Sequence, residues 1–394
     1  MADFPSFDYT TSDVRNAGKI IASDMLWADE TEVAIRQAYA VANSWRDSHV
    51  IPMRSIRLSA LYYLRGTPLV SAARLKRMQA IRGKLRRLDH LKLDKLQDLG
   101  GCRIILPTIS DVQNLAGTLK TVLRHEMRKE DDYIAEPKID GYRSHHLIWR
   151  YIGRRRHNVL SGRSIELQVR TSLQHSWATT IEAVGLYRGE ALKSRQGSEE
   201  WLRLFALMSA DFAESENCAT PDKTPDTGAR RKEIRDLAKA LDAVSVLETV
   251  SRGFAGPDIP LMQGYKPSHF LIRYDRTMRT VTVVPYNKTL NATRSYDLAE
   301  APSNQTESDN ESIVLVEVGK IDSLREAYPN YFGDVERFKT HLKEVVHGST
   351  AFEFIGATRQ KPRPPDKAVG DPSWLRGARF PKPDAVPHRR NKKG

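Results

Sequence analysis

Four short polar motifs fall within residues 74–171 of this 394-residue chain, and their side chains are of the types that move phosphoryl groups. In order they are Arg74-Leu-Lys76 with Lys84, then Asp98-Leu-Gly-Gly-Cys-Arg103, then the run from Asp132 through Lys138, Tyr142 and His146, then Glu166-Leu-Gln168-Val-Arg170. Together they supply two carboxylates, several cations and an aromatic ring. Magnesium-dependent phosphoryl transfer needs such a set, because carboxylates hold the metal and cations offset the charge on the migrating group.

Each motif also has a plainer reading. Side chains alternate along a strand, so Glu166, Gln168 and Arg170 share one face and Ile165, Leu167 and Val169 the other. That pattern suits the floor of a cleft, and equally an ordinary half-exposed strand. Asp98 precedes two glycines and the apolar run Cys102–Leu106, where it either caps a loop or faces a ligand. Magnesium takes one or two carboxylates plus substrate phosphates, and Asp98 with Glu166 forms that pair if their strands are neighbours. Arg74, Lys76, Arg77, Arg82, Lys84, Arg86 and Arg87 are read as one cationic helix over 71–88, with 74, 77, 84 and 87 near one face. Its charges serve either a solvated face or a nucleoside triphosphate. Tyr142 lies on a loop between Pro137 and Ser144 and either stacks on a base or folds back onto the core. His146 is a structural histidine or a ligand by the same token.

The elements that must position these groups are mixed. Periodicity predicts helices over 30–47, 52–65, 112–123 and 171–186, and strands over 102–106, 147–151 and 165–169. They define an α+β unit over 30–220, after an N-terminal extension at 1–29. The polar breaker cluster Pro221–Gly228 marks a boundary. Beyond it, a helix over 230–250, a hairpin of 270–274 with 280–285, a strand over 313–318 and a helix over 334–346 predict a smaller C-terminal α+β domain with its own small sheet, spanning 229–350. Residues 301–312 read as a polar loop. Tyr328-Pro-Asn-Tyr331-Phe332 is either a docking patch or aromatics packing that sheet against the last helix.

Charge is concentrated at the end. Residues 359–394 hold eleven Lys/Arg, three Asp/Glu and seven prolines, a net of +8 out of the chain's +13. That segment reads as a disordered basic tail, serving as a solubilising terminus, a loose phosphate-backbone contact or an RNA-binding arm. The two cysteines, Cys102 and Cys218, imply neither a disulfide framework nor a zinc site. With no signal-like or membrane-length apolar run, a cytoplasmic protein without a membrane partner is expected.

Taken in order, the four motifs resemble the synthetase domain of the RelA/SpoT family over roughly 70–190. The resemblance implies a nucleotidyltransferase-like mixed β-sheet flanked by helices, and transfer of pyrophosphate from ATP to the 3′-hydroxyl of GDP or GTP. By the same resemblance Arg74, Lys76 and Lys84 hold ATP phosphates and Arg103 supports them. Asp98 and Glu166 bind magnesium, and Glu166 also serves as base. Tyr142 stacks on the acceptor guanine, with Lys138 and His146 holding that nucleotide and Gln168 and Arg170 completing the motif. The chain departs from the pattern at Asp131, where many long members have Lys, and at Tyr187-Arg188, where small synthetases often have Tyr-Lys. About thirty residues before the first helix pair leave no room for a hydrolase domain, so alarmone breakdown is not expected, and nothing resembles the long C-terminal regulatory array. Two other readings keep the same motifs: a toxin that pyrophosphorylates the 3′ end of tRNA, with residues 229–350 as a fused inhibitor, and an inactive nucleotide sensor. A homo-oligomer is a further open expectation.

Overall fold

The computed structural model describes residues 9–23, 29–64, 66–67, 69–190, 192–253, 267–275, 280–299, 311–317 and 335–347. Eight strands build one mixed sheet. They are β1 (Val70–Leu75), β2 (Gly100–Leu106), β3 (Glu126–Asp132), β4 (His145–Arg150), β5 (Ser164–Thr171), β6 (His269–Asp275), β7 (Thr280–Tyr286) and β8 (Glu311–Glu317). Their order across the sheet is β3-β4-β5-β2-β1-β8-β6-β7. β2 and β5 run parallel, with Gly101 opposite Glu166, and the other neighbouring pairs are antiparallel.

Alternation along the central strands decides which helix covers which face. Ile165, Leu167 and Val169 of β5 join Cys102, Ile104 and Leu106 of β2 in a core closed by α3 (Val50–Tyr62) and α5 (Ile109–Val122). The opposite face carries the polar side chains of β5 and is covered by α6 (Ser172–Arg188) and α7 (Glu199–Ser215). There Trp177, Ile181, Trp201 and Phe205 are buried with Phe270 and Val316 from the C-terminal strands. The third cluster joins α1 (Thr11–Ala22) and α2 (Asp29–Asp47) to α4 (Met78–Arg87). Burying these faces is the main favourable contribution to the fold, at roughly 25 cal/mol per Å² of apolar surface.

Junctions between elements fix the register of the site. Thr171 ends β5 and caps α6: its hydroxyl accepts from the Gln174 amide while the Gln174 side chain accepts from the Thr171 amide. Gly100 opens β2 at a crowded point, because an added Cβ would lie 2.8 Å from Ile165 Cδ1 and 3.2 Å from His49 Cβ.

Several expectations change here. The helix predicted over 71–88 divides: Val70–Leu75 is a strand paired with β2 on one side and β8 on the other, and only Met78–Arg87 is helical. Two flanking strands outweigh the helix propensity of Ala72, Ala73, Arg74 and Leu75, since propensity is a weak preference beside tertiary pairing. The predicted helix over 230–250 is two, α8 (Thr227–Ala240) and α9 (Ala243–Gly253), broken where Asp242 takes a φ of +46°. The hairpin of β6 with β7 forms as expected, but it and β8 extend the main sheet through β1 rather than building a sheet of their own. No apolar periodicity marks strand β3; its sequence, Glu-Met-Arg-Lys-Glu-Asp-Asp, has the charge density of an exposed edge strand. Helix α10 (Thr289–Ala299) packs on β6 and β8, and α11 (Glu336–His347) packs on α6, α8 and α9. The Tyr328–Phe332 aromatics and the basic tail lie outside the described residues.

Candidate active site

A cavity of about 420 Å³ opens on the α6 side of the sheet. Among the residues that line it are Arg74, Lys76, Lys84, Asp98, Arg103, Lys138, Tyr142, His146, Glu166 and Gln168. Ten of the eleven residues singled out in the sequence therefore converge, from β1, α4, β2, β4, β5 and the loop between β3 and β4. The eleventh, Arg170, is buried behind the wall, where its Nη2 donates to Gln168 Oε1 and, at 3.3 Å, to the Tyr142 hydroxyl.

The cations arrive from two elements instead of one helix. Arg74 projects from β1 and Lys84 from α4, whose apolar residues Met78, Ile81 and Leu85 are buried at steps of three and four. Lys76 follows β1 directly, its amide bonded to the Leu99 carbonyl at 2.8 Å. Lys76 Nζ and Lys84 Nζ both lie 2.9 Å from Asp98 Oδ2. Burial would raise the Asp98 carboxyl, but these two ammoniums outweigh it and hold it below its ordinary value.

Glu166 is set by its own strand and by β4. His146 Nδ1 lies 2.9 Å from its Oε1, and Gln168 Nε2 donates to Oε2 at 2.8 Å. Burial pushes Glu166 up, but His146, Gln168 and Lys76 prevail and bring it down to about 2. Tyr142 is half-buried, not exposed: its ring makes edge contacts with Tyr133, His146 and Trp177. The Lys138 ammonium sits 4.1 Å from the centre of the Tyr133 ring and 5.2 Å from that of Tyr142. A base stacking on Tyr142 would compete with that ammonium for the ring.

The structure adds groups that the sequence did not single out. Trp177, Ile181 and Lys193 line the same cavity. Lys193 pairs closely with Glu182 of α6. Burial would raise Glu182, but Lys193, Arg74 and Arg103 hold it far below the carboxylate range. The signal that could have found it is a single acid in a helix otherwise buried along most of its length.

Magnesium fits the donor set. Asp98 Oδ1 is buried without a hydrogen-bond partner among the described residues, while its Oδ2 takes both lysines. Glu166 stands on the neighbouring strand, facing the same cavity. Among the described residues no cluster of three or more His, Cys, Asp or Glu side chains could enclose a metal. An ion held here would complete its shell from phosphates and water, which is the habit of magnesium.

A family model described as a region found in RelA/SpoT proteins matches residues 73–191. A GTP pyrophosphokinase of Haemophilus influenzae is 31% identical over 130 residues, which are 32% of this chain and 16% of that protein, so the chain spans about a sixth of that relative's length. GTP pyrophosphokinase YjbM of Bacillus subtilis is 31% identical over 148 residues, covering 34% of this chain and 68% of that protein. The solved structure of small alarmone synthetase 1 from Bacillus subtilis, bound to its product pppGpp, aligns with 42% of this chain and 86% of its own at 26% identity, with a TM-score of 0.32.

Proposed function

The chain belongs to the RelA/SpoT family, and from that premise we propose that its cavity transfers the β,γ-diphosphate of ATP to the 3′-hydroxyl of GDP or GTP, forming guanosine tetra- or pentaphosphate. One observation carries the reading: Asp98, just before β2, and Glu166, on the adjoining β5, face a wall of eight Lys and Arg side chains in a cavity flanked by Tyr142. A triphosphate needs that excess of cations, and a reacting hydroxyl needs a carboxylate beside it.

In this reading Arg74, Lys76 and Lys84 hold the phosphates of ATP, and Arg103 supports them. Tyr142 stacks on the acceptor base, Lys138 and His146 hold the acceptor, and Gln168 and Arg170 fix the strand that carries Glu166. The acceptor 3′-oxygen bonds to the β-phosphorus, the bond from that phosphorus to the α,β-bridging oxygen breaks, and AMP departs. The hydroxyl proton goes to Glu166. Paired with His146, Glu166 is a weak proton acceptor at about 2. Its basicity rises when the acceptor hydroxyl takes the place of the imidazole, because the stabilising partner is then lost. Asp98 and Glu166 would hold magnesium, which when bound neutralises phosphate charge.

Residues 30–220 would carry the transfer and 229–350 a regulatory or neutralising addition, in a cytoplasmic protein. Among the described residues no helix is long and apolar enough to cross a membrane. The test offers β-labelled ATP and magnesium to the full chain with GDP, GTP or deacylated tRNA. Label in a guanosine tetra- or pentaphosphate supports the proposal. Label in tRNA alone replaces the acceptor, and nucleotide binding without transfer to any acceptor leaves a sensor.

A further inference from the structure

We infer that Glu216 is a positioning residue that clasps the acceptor loop to the strand carrying Glu166, with Ser209 as its companion; the acceptor role of that loop rests on the function proposed above. Glu216 follows α7 directly, away from the four motifs. Its Oε2 lies 2.8 Å from Nη1 of Arg143, the residue after Tyr142. Its Oε1 accepts from the Thr171 hydroxyl, and Gln174 Nε2 approaches Oε2 at 3.4 Å. One carboxylate thus joins the loop of Tyr142, the last residue of β5 and the first turn of α6.

The clasp is enclosed. The side chains of Arg143 and Glu216 are 1% and 9% exposed. In such surroundings a charge-assisted pair is well defined in geometry, and removal of one member strands the other. About two turns earlier on α7, the Ser209 hydroxyl donates to the Gly141 carbonyl and accepts from Arg143 Nε at 3.3 Å. Gly141 has a φ of +89°, and a Cβ added there would lie 2.7 Å from that of Ser209. The loop cannot approach α7 more closely, and the two side chains keep it from leaving. Tyr142 sits between these anchors, so the clasp sets where its ring stands relative to Glu166 and Gln168.

The cations assigned to ATP come from β1 and the residue after it, α4 and β2, whereas the clasp joins the loop between β3 and β4, the end of β5 and α7. Loss of the clasp should therefore separate acceptor from donor. The test uses full-length E216Q and S209A. Amide hydrogen exchange is followed at Lys138, Gly141 and Tyr142, all hydrogen-bonded within the loop, and calorimetry gives Kd for GDP and for a non-hydrolysable ATP analogue. In E216Q the loop should exchange faster and the Kd for GDP should rise about tenfold, with the ATP analogue within about twofold. S209A removes one hydroxyl and no charge, and it should move both readouts the same way by less, which covers the case of E216Q failing to fold. Unchanged loop exchange in a folded variant, or equal loss of both affinities, would overturn the clasp. If the unaltered chain binds GDP yet makes no tetraphosphate, the transfer reading fails while exchange and GDP affinity still decide the role of Glu216.

Discussion

His146 Nδ1 lies 2.9 Å from Glu166 Oε1, while its Nε2 lies 2.7 Å from the Tyr142 hydroxyl. One imidazole therefore joins the carboxylate proposed as base to the ring proposed to stack on the acceptor. β4 and β5 pair so that His146 faces Gln168 and Ile148 faces Glu166, which puts the imidazole diagonally across from the acid.

That pair sets the first prediction. Replacing His146 with Ala removes the leading counterweight to burial at Glu166, so its carboxyl should rise by about 1–2 pH units. The acid limb of the pH profile of kcat/KM should move upward by the same amount, since Glu166 must be ionised to accept a proton. An acid limb that stays in place would show that His146 does not govern Glu166.

Asp98→Asn should lower transfer roughly 10²–10³-fold while the fold persists. The substitution removes the carboxylate shared by Lys76 and Lys84 and leaves two ammoniums facing each other. A magnesium titration separates the two roles proposed for Asp98. If it helps hold the ion, the variant should need more magnesium for half-maximal residual transfer, and an unchanged midpoint would confine Asp98 to organising the lysines.

Tyr142→Ala should raise the acceptor KM about tenfold and leave the ATP KM nearly unaltered, given that a stacked base is worth about 1–3 kcal/mol. Tyr142→Phe keeps the ring but loses the contacts to His146 and Arg170. It should retain acceptor affinity and lower kcat. Steady-state kinetics with each substrate varied in turn checks both, and an equal rise in the two KM values would argue against stacking.

Much of the site was legible because its residues sit in short motifs whose strand alternation survives folding. Glu166, Gln168 and the buried Ile165, Leu167 and Val169 separate as period two requires. Arg74 stands on a strand although Ser71 to Leu75 looks locally helical, because its two partner strands, about 30 and 240 residues away in sequence, decide the element. It still reached the cavity, since both β1 and α4 border it. Lys193 and Glu216 could not be read for a different reason. Each acts through a partner brought near only by packing, and an isolated acid or lysine in a helical stretch has no local pattern to distinguish it from a solvated one. The sheet's continuation into β6, β7 and β8 was hidden in the same way, because strand sequence does not say which edge it joins.

Asp211 carries the last prediction. Fully buried on α7, it lies 2.8 Å from His341 Nε2 of α11, 3.0 Å from Arg231 Nε and 3.4 Å from Arg230 Nη2 of α8. Burial would raise its carboxyl, but His341 and Arg231 bring it down to about 2. A carboxyl depressed on folding contributes stability that is present above its unfolded value near 4 and lost as pH falls through about 2. Asp211 and Glu166 share this sign, and each should contribute on the order of 2–3 kcal/mol at neutral pH. Urea midpoints should thus hold steady from pH 7 to about 5 and fall steeply below 4. Asp211→Ala removes the buried carboxylate that Arg231 and His341 share, while Arg230 keeps Glu214, so it should cost about 3–5 kcal/mol at neutral pH and flatten the acid limb of that profile. A variant with an unaltered urea midpoint at pH 7 would mean that Asp211 does not fasten α8 and α11 to α7.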